Sequence, residues 1–138
     1  MLTIHDLEQD YVAVMSSVEH LQKVFQGDWP KGLSREQNLV DLGWHQKEFQ
    51  RRTSFAYTVV SPDESLVLGC VYIYPSGQPG FDAEVYLWVR ESELASGLDQ
   101  QLELQVRGWL AANWPFRNIA LPGRSVSWEE WNLLGQQR

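Results

Sequence analysis

One cysteine, Cys70, stands among 138 residues. No intrachain disulfide can staple the fold, and a reducing cytoplasm is the expected setting. Long hydrophobic runs are also missing. No stretch approaches the ~20 apolar residues a membrane helix needs, and the N-terminus lacks a basic-then-apolar leader pattern, so no membrane role is expected. Basic side chains are scarce. Eleven Lys and Arg against eighteen Asp and Glu give a net charge of −7, which argues against nucleic-acid backbones as partners and is compatible with a cationic ligand such as an amine. His5, His20 and His45 are too scattered for a metal set, and no metal is expected. Neither a Gly-x-Ser-x-Gly elbow nor a phosphate-loop lysine motif occurs.

What is abundant is aromatic. Seven Trp in so short a chain exceed what a core alone requires and leave rings for a pocket wall or an interface. Hydrophobic residues make up 43% and charged residues 21%, the balance of an ordinary globular domain rather than a disordered chain. With no repeat, low-complexity tract or linker, residues 1–138 read as a single domain.

The pattern along the chain predicts a short strand at Met1–Asp6. A helix follows from Asp10, its apolar face formed by Tyr11, Val14, Met15, Val18, Leu21 and Phe25. Gly27 to Gly32 forms a loop. Ser34 and Gln37 have capping-box spacing and open a second helix that runs to about Arg51. Strands are expected at Ser54–Ser61, Leu66–Tyr74 and Ala83–Val89, separated by the turns Pro62–Glu64 and Pro75–Gly80. A helix from Leu98 to about Ala112, a short strand at Asn118–Leu121 and a helical or irregular Ser125–Leu134 complete the chain. Short connections make the first three strands antiparallel, and the crossover helix makes the last one parallel to Ala83–Val89. The expected fold is α/β in the α+β sense, a three-layer α/β/α domain with a mixed, mostly antiparallel sheet.

The most informative stretch is the strand, turn and helix between Val85 and Leu110. A glycine-bearing turn feeding a helix aims backbone N–H groups at one place, a natural seat for an anion. This order of elements resembles the GNAT N-acetyltransferase superfamily over nearly the whole chain. In that family a strand ending in Val is followed by Pro-x-x-[Gln/Arg]-x-x-Gly-x-[Gly/Ala], which cradles the pyrophosphate of acetyl-CoA. Here the stretch reads Val89-Arg-Glu-Ser-Glu-Leu94-Ala-Ser-Gly97-Leu98-Asp99. The resemblance implies acetyl-CoA as cofactor, its pantetheine along Leu87, Trp88 and Val89 and its pyrophosphate over Ser96, Gly97 and Leu98. It implies transfer of an acetyl group to an amine of a small molecule or peptide.

Two positions depart from the pattern. Leu94 removes a polar contact, and Asp99 puts a carboxylate where a small residue belongs. A carboxylate a few ångströms from a phosphate repels it by about 1 kcal/mol or more in partly solvated surroundings. The same carboxylate near a helix N-terminus also stabilises the helix without any ligand. An Asp99 turned away from the turn would favour transfer, and one pointing into an occluded turn would favour a non-catalytic ligand- or protein-binding module. After Gly135, which resembles the glycine ending the family's last helix, only Gln136, Gln137 and Arg138 remain. The resemblance then implies an acceptor side that is open, built differently, or covered by a partner subunit, as in a homodimer.

Alternation puts Glu84, Tyr86 and Trp88 on one face of their strand and Val85, Leu87 and Val89 on the other. Because the family often takes its base from a Glu on this strand, Glu84 is the candidate base, provided its face looks into a cleft. The alternative is a solvated or helix-packed face. Tyr72 is the candidate acid and shares a face with Tyr74, although buried hydrogen-bonded Tyr is the commoner fate. No Tyr follows Tyr86, so the family's usual acid position is empty, and Ser125 or a water would stand in. Trp29 and Trp44 are candidate acceptor-pocket walls, with plain packing as the alternative. Cys70, between apolar neighbours, reads as core.

Overall fold

The computed structural model describes residues 1–136. The expected strand at Met1–Asp6 is instead a 3-10 turn, Ile4–Asp6, capped by Thr3. The Asp6 carboxylate accepts from the Thr3 N–H at 2.8 Å, and the Thr3 hydroxyl accepts from the His5 N–H at 3.2 Å. This reciprocal capping outweighs the weak alternation of the first residues. The predicted long helix from Asp10 is two helices, α1 (Leu7–Met15) and α2 (Val18–Phe25). Two serines make the break. Ser16 Oγ donates back to the Ala13 carbonyl at 2.9 Å, while the buried Ser17 Oγ accepts from the Glu91 N–H at 2.8 Å. Hydroxyls that compete with the helix ladder favour such breaks.

Helix α3 (Arg35–Gln50) starts at the predicted capping box, with Gln37 N–H donating to Ser34 Oγ and Ser34 N–H to Gln37 Oε1. Strands β1 (Phe55–Val60), β2 (Val67–Pro75) and β3 (Ala83–Val89) pair antiparallel in that order. Helix α4 (Leu98–Asn113) crosses over, and β4 (Ile119–Ala120) returns parallel to β3. The result is an α+β fold around a mixed four-stranded sheet. Helix α5 (Trp128–Gln136) ends the described chain. Gly135 does not end this helix, since Gln136, expected beyond it, is its last residue, and Gln137 and Arg138 lie outside the described residues. Among the described residues, no helix is long and apolar enough to cross a membrane.

Strand alternation divides the buried side chains between two cores. Ala56, Cys70 and Trp88 pack with Ala13, Val14, Leu21 and Leu42 of the first three helices. Val71, Ile73, Val85, Leu87 and Val89 pack with Leu102, Val106 and Leu110, spaced four apart along α4. Each fully buried Leu or Val contributes about 1.5–3 kcal/mol before entropy is counted.

One detail of the sheet positions everything that follows. β3 and β4 pair at only two positions, Ala83 with Ile119 and Glu84 with Ala120. Pro122, which has no N–H for a ladder, follows almost at once. From Val85 to Val89 the β4 side of β3 therefore has no strand partner among the described residues, and a cleft opens there.

Candidate functional site

Two cavities meet at this part of the sheet. The larger, about 390 Å³, lies between the sheet and helices α1 to α3. Its sheet wall is Tyr72 and Tyr74, two apart on β2, with Tyr86 of β3 in register opposite Tyr72. Phe25 at the end of α2 lies 6.3 Å from the Tyr86 ring and 5.5 Å, edge-on, from Trp29. His45 of α3 stacks on Tyr72 at 5.2 Å, and the half-exposed Trp44 leans on His45 at 5.1 Å. Trp29 and Trp44, the two tryptophans singled out as acceptor walls, both line this cavity.

The polar groups in that aromatic shell lack a counter-charge. Asp10 is 3% exposed. Its Oδ2 accepts from Asn38 Nδ2 at 2.9 Å, and its Oδ1 accepts from the Cys70 thiol at 3.7 Å. Burial raises the Asp10 carboxyl above its ordinary value, against the lowering effect of those two donors, and the nearby Asp6 and Asp41 add to the rise. Asp41, toward the rim, is also raised by burial. Among the described residues, neither Asp10 nor Asp41 has an ion-pair partner. Lys47 reaches over the Trp44 ring, 6.0 Å from its centroid, but pairs with Glu48 at 3.1 Å. Burial lowers His45 toward the neutral imidazole and pushes Tyr72 and Cys70 well up. Tyr74 is raised to about 12, by burial and then by the Glu84 charge. Rings with negative faces thus surround an acid that has no cation of its own.

The second cavity, about 310 Å³, occupies the cleft beside β3 and shares Phe25 and Tyr86 with the first. Here a cation is supplied from within. Arg124 grips both oxygens of Asp99 at 2.7 and 2.8 Å, reaches Glu103 at 3.0 Å, and donates to the Leu87 carbonyl at 3.2 Å. Hydrogen bonding to Arg124 holds Asp99 below the usual carboxylate range despite its burial. Burial pulls the Arg124 guanidinium down, and the Asp99 and Glu103 carboxylates more than offset it, so its value is raised. His20 and Lys23 line the same cavity.

Several N–H groups of the turn before α4 are likewise taken up by the chain itself. Glu91 N–H goes to Ser17 Oγ, Glu93 N–H to Arg90 O, Leu94 N–H to Glu91 O and Gly97 N–H to Leu94 O. Gly97 caps α4 at φ 80°, where an added Cβ would touch nothing; the backbone twist, not crowding, calls for glycine there. Gly123, at φ 81°, is different, because a Cβ would collide with the Trp128 indole nitrogen. That indole donates to the Val24 carbonyl at 3.1 Å and stacks on Tyr86 at 6.2 Å, which fixes the loop carrying Arg124.

The residues expected to act together are dispersed. Tyr72 lines the first cavity and accepts from the Trp88 indole N–H at 3.0 Å. Glu84 lines neither cavity; its carboxylate accepts from the Tyr86 hydroxyl at 3.0 Å. Leu87 presents its carbonyl to the cleft, whereas the Trp88 and Val89 side chains are fully buried in opposite cores. Ser96 donates to the Glu93 carbonyl, and Leu98 packs onto the α4 core. Sequence reasoning missed Asp10, Asn38, Asp41 and His45. A signal existed: Asp10 sits four residues before Val14 on the buried stripe of α1, and Asn38, Asp41, Leu42 and His45 share one face of α3. No family model matches this chain, and no curated protein matches it.

Proposed function

We propose that the protein is a GNAT-like binding module for a small organic cation, held in the aromatic cavity between the sheet and α1 to α3. The observation that carries this reading is Asp10, a buried carboxylate with no ion-pair partner among the described residues, facing a cavity walled by aromatic rings. An isolated buried charge is costly unless paired. A cation entering the cavity would supply that pair, and each aromatic face it meets adds about 0.5–2 kcal/mol. A cavity of about 390 Å³ suits a small molecule or the tip of a peptide side chain.

The second reading is acetyl transfer from acetyl-CoA to that same amine. It is favoured by the wall the two cavities share, Phe25 and Tyr86, across which an amine and a thioester could meet. The amine would lose a proton and attack the thioester carbonyl. The C–S bond would then break, and the departing thiolate would take up a proton. Arg124 would first have to leave Asp99 and the Leu87 carbonyl, whose place beside β3 the guanidinium now occupies.

Calorimetry separates the two readings. A 2-phenylethylammonium titration is expected to saturate in the micromolar-to-millimolar range, while acetyl-CoA gives no heat at millimolar concentration. Saturation by micromolar acetyl-CoA would overturn the module reading in favour of the transferase.

A further inference from the structure

We propose that this site exchanges a proton for its ligand, with Asp10 giving up a proton to solvent as the cation docks. The inference rests on the cation-binding reading and adds to it a linkage between binding and pH.

The argument starts from what faces Asp10. On its own helical segment stands Asp6, a like charge. From α3 come Asn38, a neutral donor, Asp41, a second like charge, and His45, whose imidazole burial keeps toward neutral. From β2 come the Cys70 thiol and the Tyr72 phenol, both pushed by burial toward their un-ionised forms. None of these groups offers a positive charge. Burial without a cation alongside therefore shifts the balance toward the neutral acid and raises the Asp10 carboxyl. An alkylammonium placed against Asp10 reverses that preference, because an opposite charge within a few ångströms favours the carboxylate. The balance is simple: R–NH₃⁺ and the Asp10 carboxylic acid become an ammonium–carboxylate pair plus one proton in solvent. Asn38 on one oxygen and the Cys70 thiol on the other hold the carboxyl in place at the cavity wall.

Linkage then sets the direction. Below the free-protein pKa of Asp10, the apparent Kd rises about tenfold for each unit the pH falls. Above it, Kd is flat and no proton is released.

The test is a titration of the full-length protein with 2-phenylethylammonium from about pH 4.5 to about pH 7.5. Released protons are read by an indicator dye in lightly buffered solution, and folding is checked by circular dichroism at each pH. The expected result is proton release that grows toward the acid end and a Kd that tightens toward neutral pH. Asp10→Asn should abolish both the release and the pH slope and weaken binding at least about tenfold at neutral pH. Binding with no proton release and a flat Kd would overturn the exchange while leaving the cation site standing. A slope that survives in Asp10→Asn but vanishes in Asp41→Asn would move the exchange to Asp41 and overturn the assignment. No binding of the ammonium at any pH would overturn the cation site itself, and the exchange with it.

Discussion

Asp10 and Asp99 are two acids held in adjoining cavities that share Phe25 and Tyr86. Asp99 has Arg124 on both of its oxygens, and its carboxyl is pulled below the ordinary range. Asp10 has an amide and a thiol, and its carboxyl is pushed above the ordinary range. The partner, not the residue type, decides the sign. Where the chain supplies its own cation, the charge holds a loop against a strand. Where it supplies none, the acid lines a cavity that a cation from outside can fill.

The largest test of this contrast is Arg124→Ala. It strands Asp99, whose side chain is 23% exposed, while Glu103 keeps Arg107 at 3.0 Å. That burial lies nearer the buried than the surface limit, so the loss should be about 2–3 kcal/mol in a denaturant melt. A loss under about 0.5 kcal/mol would make the pair a surface decoration and remove one side of the contrast. Next comes Gly123→Ala, which drives a methyl into the Trp128 indole at positive φ; we expect a loss of about 2 kcal/mol. Gly97→Ala, at a similar φ with open space around it, should cost only about 1 kcal/mol by the same melts. Equal losses for the two glycines would mean that the Trp128 contact does not hold the Arg124 loop.

The smallest effect is the most diagnostic. Because the Asp10 carboxyl is raised on folding, the stability it contributes is present in acid and is lost as pH climbs through its folded-state value. Asp10→Asn cannot ionise, so its Tm should exceed the wild type by about 2 °C at neutral pH and not in acid. For Asp99 the sign is opposite. Its lowered carboxyl contributes stability at neutral pH that is lost as pH falls through the folded-state value. Arg124→Ala should therefore show a shallower acid loss than the wild type. Parallel pH profiles for the two variants would contradict the contrast.

Periodicity alone made much of this architecture legible. The three antiparallel strands, the capping box at Ser34 and the parallel return of β4 all follow from local pattern and short connections. The double serine at 16 and 17 was less visible, since an apolar stripe can continue across a break in the helix axis. The strand-turn-helix around Gly97 was the loudest chemical signal in the chain, yet Asp99 there is answered by Arg124, a residue 25 positions later in a loop with no pattern of its own. Tertiary ion pairs of that kind leave no trace in spacing. Asp10 is the reverse case. A carboxylate on the buried face of a helix is visible in the sequence, but whether a cation meets it is decided only by what α3 and β2 bring alongside.

The most direct measurement is the indole N–H spectrum of the seven tryptophans, followed by NMR as 2-phenylethylammonium is added. Trp29 and Trp44 line the aromatic cavity, and Trp128 borders the cleft. The account predicts shifts for the Trp29 and Trp44 indoles, little change at Trp128, and the loss of those shifts in Asp10→Asn. Ammonium-induced shifts confined to Trp128, or shifts of Trp29 and Trp44 that persist undiminished in Asp10→Asn, would contradict it.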